Sequence, residues 1–297
     1  MFSKYLSINN PTLFRYAFVI LLLVSKVLSI IIHETSNFFI LYIFAAVFLG
    51  IGFYNASIWI LMLLNVVIVL CRFFLISDHV LSVATFLIYL LTYFLITFIT
   101  VQLMKNIQKV KQDNIELTVA LANALDSRDT YTLHHSENVA KYALQIAVRL
   151  KLSKELCNII RIGSLLHDIG KIGIPENILT KPDKLTTEEY DKVKTHPEIG
   201  YEIIKHVATF KGNGVLDIVL YHHEKYDGTG YPRGLKGNSI PLVARIVAIA
   251  DSFDAMTSHR IYRSNLDVKY GLDEIRKNKG TQYDPAIADV FLSLFEE

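Results

Sequence analysis

The chain of 297 residues has little of what defines several protein classes. It contains two cysteines, Cys71 in an apolar run and Cys157 in a helical pattern, so no disulfide framework is expected. Its net charge is only +2, which leaves no basic excess to neutralise a nucleic-acid polymer. No internal repeat and no alternating segment of strand length stands out. The largest deficit is charge at one end. Residues 1–104 hold four basic residues (Lys4, Arg15, Lys26, Arg72) and two acidic ones (Glu34, Asp78). Totals of 30 basic and 28 acidic residues then leave 26 of each sign to residues 105–297. With 52% hydrophobic residues and a mean hydropathy of +0.35, the chain is too apolar to be a purely soluble enzyme, a disordered chain or a disulfide-built secreted module.

From Thr35 to Cys71 no charged residue occurs over 37 positions. A single helix of that length, at about 1.5 Å per residue, would far overshoot a hydrocarbon core of about 30 Å. The run must fold back, and Gly50–Asn55 is the natural turn. The pattern predicts a transmembrane region over 1–104 with a bundle of about four helices, near 14–32, 36–53, 56–74 and 80–103. Backbone groups in lipid must be satisfied internally, which requires helices. Lys4 and Arg15 precede the first span, and Lys105, Lys109 and Lys111 follow the last. An even number of spans with basic flanks puts both ends in the cytoplasm. A plain anchor and a sensor both fit this region, which names no ligand of its own.

A connecting helix follows over 105–125, free of proline and glycine. Ile107, Val110, Asn114, Leu117, Leu121 and Ala124 recur at spacings of three and four, a heptad seam with one polar member. The seam fits a parallel homodimer; an amphipathic helix packed on its own domain would carry the same pattern. Beyond it, helical patterns cover 134–150, 153–166, 187–195, 197–207, 215–223, 241–257, 267–277 and 285–295. Thr186–Glu189 reads as a capping box, and Asp227–Pro241 as the one long irregular loop. The fold class is all-α.

Eight of the ten histidines lie beyond residue 130. They read His134-His135-Ser136, His167-Asp168-Ile-Gly-Lys171-Ile-Gly-Ile-Pro175, His196-Pro197 and His222-His223-Glu224, with Asp251 further on. Imidazoles and carboxylates without thiolates suit octahedral ions such as iron or manganese better than structural zinc. Adjacent residues on a helix diverge by about 100°, so His222-His223 is expected where a helix ends. Each histidine alone is more often a core or surface residue than a ligand; the joint pattern is what points to a metal.

These stretches resemble the HD-GYP subgroup of the HD-domain metal-dependent phosphohydrolases. His222-His-Glu-Lys-Tyr-Asp-Gly-Thr-Gly-Tyr-Pro232 matches its HHExxDGxGYP signature, and His167–Pro175 its HDIGKxxIP signature. Asp251-Ser-Phe-Asp-Ala-Met-Thr-Ser258 and Gly280-Thr-Gln-Tyr-Asp-Pro285 resemble its later segments. The resemblance covers roughly 118–297 and implies an all-helical catalytic domain there. It implies hydrolysis of the bacterial messenger cyclic di-GMP to linear pGpG, in some members on to GMP. It implies His135, His167, Asp168, His196, His222, His223 and Asp251 as metal ligands, with Asp168 bridging two divalent ions, iron or manganese. His135 rather than His134 takes the first ligand place. Members with a third metal carry a glutamate four residues before the first histidine; here Tyr131 stands there, so two ions are expected. Such a pair lowers the pKa of a water and draws charge from phosphate oxygens.

Asp168 and Lys171 are the candidate catalytic residues, with Lys171 a fixed cation for the transferring phosphate. The resemblance implies that Arg260 and Arg263 match the family's basic positions that meet the second phosphate or a guanine, work that suits the planar guanidinium. Tyr231 could pack on a guanine face. Glu224 and Asp227 are acceptors placed to orient ligand histidines, or to bond within their own loop. The implied setting is a multi-pass protein of a bacterial cytoplasmic membrane with its catalytic domain in the cytoplasm, in contact with the lipid bilayer. A phosphodiesterase for another cyclic dinucleotide, such as cyclic GMP-AMP, and a catalytically silent cyclic-dinucleotide receptor are the alternatives.

Overall fold

The computed structural model describes residues 10–31, 39–73, 82–128, 134–258 and 265–296. Every regular element among them is helical: α1 (Pro11–Ile31), α2 (Phe39–Gly52), α3 (Ile58–Phe73), α4 (Val83–Asp126), α5 (His135–Arg149), α6 (Lys154–Leu166), α7 (Glu176–Leu179), α8 (Thr187–Val193), α9 (His196–Ile204), α10 (Val215–Tyr221), α11 (Leu242–Ser258), α12 (Asn265–Lys277) and α13 (Pro285–Leu292). The chain divides into two compact units, Met1–Asp113 and Asn114–Glu297.

The first unit exposes many apolar side chains and buries a few polar groups, Ser25, Asn65 and Thr97. Val19, Leu23, Trp59, Leu63, Leu91 and Leu95 are exposed. Asn65 is fully buried; its amide donates to the Leu61 carbonyl at 2.8 Å. The Thr97 hydroxyl lies 3.1 Å from the Asn65 carbonyl oxygen and 3.2 Å from the Ala46 carbonyl, which ties α2, α3 and α4 together. Two helices, α1 and α4, are long and apolar enough to cross a membrane. The expected spans at 36–53 and 56–74 are shorter helices of 14 and 16 residues. At about 1.5 Å per residue they reach only about 21 and 24 Å. The turn after Gly52 uses residues that the apolar pattern assigns to the spans. Residues 32–38 and 74–81, which would complete these spans, lie outside the described residues.

The connecting segment is not a separate element. It continues the last apolar helix, so α4 runs unbroken for 44 residues. Its final turns pack Val119 and Ala122 against Ala140 and Leu165. The heptad seam lies on another face: Val110, Leu117 and Leu121 are exposed. Small side chains at Ala122 and Ala140 let α4 approach α5 closely, and that contact uses a different stripe from the seam.

In the second unit the eight expected helices appear within about three residues of their expected ends, and shorter turns at Ile169–Gly173 and Glu176–Leu179 join them. Thr186 and Glu189 form the expected capping box. The core collects Ile146 of α5, Ile160 of α6, Ile218 of α10, Ile275 of α12 and Phe291 of α13 around α11. On α11, Ile246, Val247, Ile249, Ala250 and Phe253 are fully buried. A helix enclosed on nearly all sides should be apolar throughout, so Asp251 and Asp254 in its middle need a compensating purpose. Phe291 meets Phe253 at 4.9 Å and Tyr142 at 6.2 Å between ring centroids. Phe291→Ala removes this aromatic junction, which contains no candidate ligand, and should cost about 3–5 kcal/mol. Urea unfolding of the detergent-solubilised protein, followed by near-ultraviolet circular dichroism, would register it; an unchanged midpoint would contradict this account of the core.

Candidate metal centre

The site is built from helix ends. His135 opens α5, His167 follows the last residue of α6, and His196 opens α9. His222 and His223 follow α10, so that pair does sit where a helix stops. Asp168 starts the short turn after α6, and only Asp251 comes from a helix interior. At helix ends the backbone carbonyls of the last turn lack partners. Three histidines use them. His167 Nδ1 donates to the Ser164 carbonyl at 2.7 Å, His196 Nδ1 to Val193 at 2.8 Å, and His222 Nδ1 to Val219 at 3.0 Å. A carbonyl only accepts, so each Nδ1 carries the hydrogen and each Nε2 is the ring's other face toward the centre.

All seven expected ligands meet there, in two groups. One ligand atom each from Asp168, His196, His222 and His223 lies within 4.8 Å of the others, and likewise for His135, His167 and Asp251. Asp168 reaches both groups. Its Oδ1 is 3.2 Å from His196 Nε2, and its Oδ2 is 3.3 Å from His167 Nε2 and 4.0 Å from His135 Nε2. Asp251 Oδ1 is 3.2 Å from His135 Nε2 and 3.8 Å from His167 Nε2. Gly170 makes this convergence possible: a Cβ there would collide with the His196 carbonyl oxygen, holding α9 away from Asp168.

The donor set fits divalent cations. His196 Nε2 and His222 Nε2 face each other at 3.2 Å, with both Nδ1 hydrogens committed to carbonyls. Two lone pairs so close are stable only with positive charge between them. Burial drives the His222 imidazolium well below its ordinary range and His223 down to about 4, which disfavours a proton in that role. His167 Nε2 is buried and has no hydrogen-bond partner among the described residues. In the other group burial opposes charge, but Asp168 and Asp251 outweigh it at His167, and Asp251 with Asp254 outweighs it at His135, held up at about 9. Burial likewise raises both aspartates, and Lys171 with His167 for Asp168, and His135 with His167 for Asp251, pull them well below the carboxylate range. In that group a cation therefore competes with protons for the same imidazoles.

The remaining expected residues divide. Lys171 Nζ sits 2.7 Å from Asp168 Oδ2 at the edge of the centre. Tyr231 stacks on His223, with ring centroids 4.9 Å apart and planes 31° apart, so its ring supports a ligand candidate. Glu224 turns away from the histidines: its oxygens accept from the Arg233 amide at 2.7 Å and the Leu235 amide at 3.0 Å. Asp227 accepts from the Thr229 amide and hydroxyl at 2.9 and 2.7 Å. Both carboxylates therefore shape the loop, where unpaired amides compete for them. A Cβ at Gly230 would collide with the Lys225 amide, which keeps that loop tight. His134 is exposed, in keeping with its exclusion from the ligand set. Arg260, Arg263 and Tyr131 lie outside the described residues.

One buried contributor escaped the sequence reading. Asp254 is fully buried, and its Oδ2 accepts from His135 Nδ1 at 2.8 Å, aiming Nε2 at the other donors. Its spacing of three from Asp251 puts both on one helix face, the signal that could have revealed it.

An all-helical domain with a buried centre of five histidines and two aspartates is a metal-site domain. Residues 119–287 match the HD domain family, and the chain belongs to that family. Over 192 residues it is 41% identical to the cyclic di-GMP phosphodiesterase response regulator RpfG of Xanthomonas campestris, covering 64% of this chain and 50% of that protein. A cyclic di-GMP phosphodiesterase of Thermotoga maritima is 42% identical over 170 residues, covering 57% and 46%. The 3'3'-cGAMP-specific phosphodiesterase 2 of Vibrio cholerae is 35% identical over 202 residues, covering 68% and 38%. The chain thus spans half or less of the length of these curated relatives.

Mn(II) or Fe(II) at a hundred times its dissociation constant should add about 2.7 kcal/mol to stability. Calorimetric thermal scans should show this upward shift in the wild type. Asp254→Ala should shrink it, and His196→Ala should remove most of it. A wild-type midpoint indifferent to every divalent ion tried would contradict the metal assignment.

Proposed function

We propose that this chain is a membrane-anchored phosphodiesterase that hydrolyses cyclic di-GMP to linear pGpG. The observation that carries the reading is the convergence of seven donors in two adjoining groups, with Asp168 facing both. The curated relatives, which include cyclic di-GMP and cGAMP phosphodiesterases, support the substrate class. In this reading His135, His167 and Asp251 hold one ion, His196, His222 and His223 the other, and Asp168 both. Bound iron or manganese would supply an acidified water and withdraw charge from the phosphate oxygens. Lys171, held beside Asp168, offers a fixed cation to the transferring phosphate. Tyr231 keeps the His223 ring in place, and Arg260 and Arg263 take the second phosphate or a guanine.

Residues 1–104 form the anchor in this proposal, 105–125 the connecting helix and 118–297 the catalytic domain. The exposed apolar faces of α1, α3 and α4 support contact with a lipid bilayer. Four spans with both ends in the cytoplasm fit the basic flanks, and place catalysis on the side where the messenger is found. The exposed seam residues Val110, Leu117 and Leu121 support a parallel homodimer along α4. A second substrate reading, cyclic GMP-AMP, draws on the Vibrio cholerae relative.

The detergent-solubilised protein loaded with Fe(II) or Mn(II) should linearise cyclic di-GMP, with the product resolved by chromatography beside a cyclic GMP-AMP reaction. Asp168→Ala should abolish turnover. Lys171→Ala should lower kcat by about 100-fold with a smaller change in KM. Full turnover by the Asp168 variant would overturn the assignment, and binding without turnover in either metal would favour a silent receptor.

A further inference from the structure

We propose that Asp126, the last residue of α4, is a positioning residue for His135 and the joint through which α4 acts on the centre. The inference rests on the metal-centre reading above. Helix α5 begins at His135, and its N-cap residue, His134, gives no side-chain capping bond. The cap comes instead from ten residues upstream. Asp126 Oδ2 accepts from the Ser136 amide at 3.0 Å, and its Oδ1 accepts from the Ser136 hydroxyl at 2.9 Å. Asp126 is buried and Ser136 fully so. A carboxylate is well matched to the electropositive start of a helix. The residue it grips directly follows the ligand candidate His135.

Two further contacts fasten the same joint. The Asn123 amide donates to Glu137 Oε1 at 2.9 Å, and Ala122 packs on Ala140. Asp126 thus fixes the backbone that carries His135, while Asp254 fixes its ring. Helix α4 is unbroken from Val83 to Asp126, and its end meets the first turn of α5 through Asp126 and Asn123 and packs on Leu165 of α6. None of the other ligand candidates starts a helix capped in this way.

The test uses the full chain in detergent and Mn(II) titration by isothermal calorimetry. Asp126→Ala should weaken one Mn(II) by about 10–100-fold and leave the other unchanged. Asp126→Asn keeps the shape and an acceptor oxygen, and should stay close to the wild type. Asp284→Ala is the control. Asp284 caps α13 in the same manner, accepting from the Ala286 amide at 2.9 Å, but touches no ligand candidate. It should lower the thermal midpoint with Mn(II) affinity intact. Wild-type affinity in Asp126→Ala, or an equal loss in Asp284→Ala, would overturn the positioning role. No Mn(II) uptake by the wild type would instead overturn the metal reading itself. One alanine inserted after Lys111 turns the preceding part of α4 by about 100° relative to its end. It should change Mn(II) affinity when Asp126 is present and not in the Asp126→Ala background; the same change in both would remove Asp126 from the route.

Discussion

Two imidazole nitrogens, His196 Nε2 and His222 Nε2, face each other across 3.2 Å in a buried space, their rings pinned by carbonyls behind them. Much of the second unit exists to sustain that arrangement. The carbonyls are free to pin the rings because they end helices, and the helices end there because the chain turns toward a common centre. Gly170 removes the one atom that would keep α9 off. A cluster of this kind is costly without positive charge at its middle, so the same contacts that organise the fold create the demand for ions.

Helix α11 carries both burdens. Its apolar residues lock the aromatic junction of Tyr142, Phe253 and Phe291, while Asp251 and Asp254 emerge on the one side that meets His135. Rigid packing on three sides gives the carboxylates little freedom, which suits groups that must hold position to a fraction of an ångström. Stability and chemistry are therefore not separable along this helix.

How far the residues themselves announced this outcome depends on the kind of information needed. The helices of the second unit followed from apolar period and from caps such as Thr186–Glu189, which are local. The seven donors were legible because their motifs resemble the HD-GYP signatures; six of them sit at helix ends, where short turns can aim side chains inward, and Asp251 comes from the interior of α11. Orientation of individual polar groups was not legible. Glu224 faces loop amides and Tyr231 a histidine ring, because each choice depends on which neighbour the folded loop brings near. Asp254 was hidden for the same reason. In the first unit, hydropathy alone assigned Phe53, Ala56 and Ser57 to spans although they belong to the turn between α2 and α3, since it cannot tell a turn in an apolar run from a helix. Along α4 the heptad seam and the stripe that packs on α5 both look amphipathic, and only three-dimensional contact separates them.

The donors of the centre are spread from His135 to Asp251, and His135 is locked by a carboxylate 119 positions further along the chain. During synthesis the group of His135, His167 and Asp251 therefore stays incomplete until α11 has left the ribosome and closed onto α5. Ion capture by that group is in consequence a late event, whereas Asp168, His196, His222 and His223 all precede α11 in the chain.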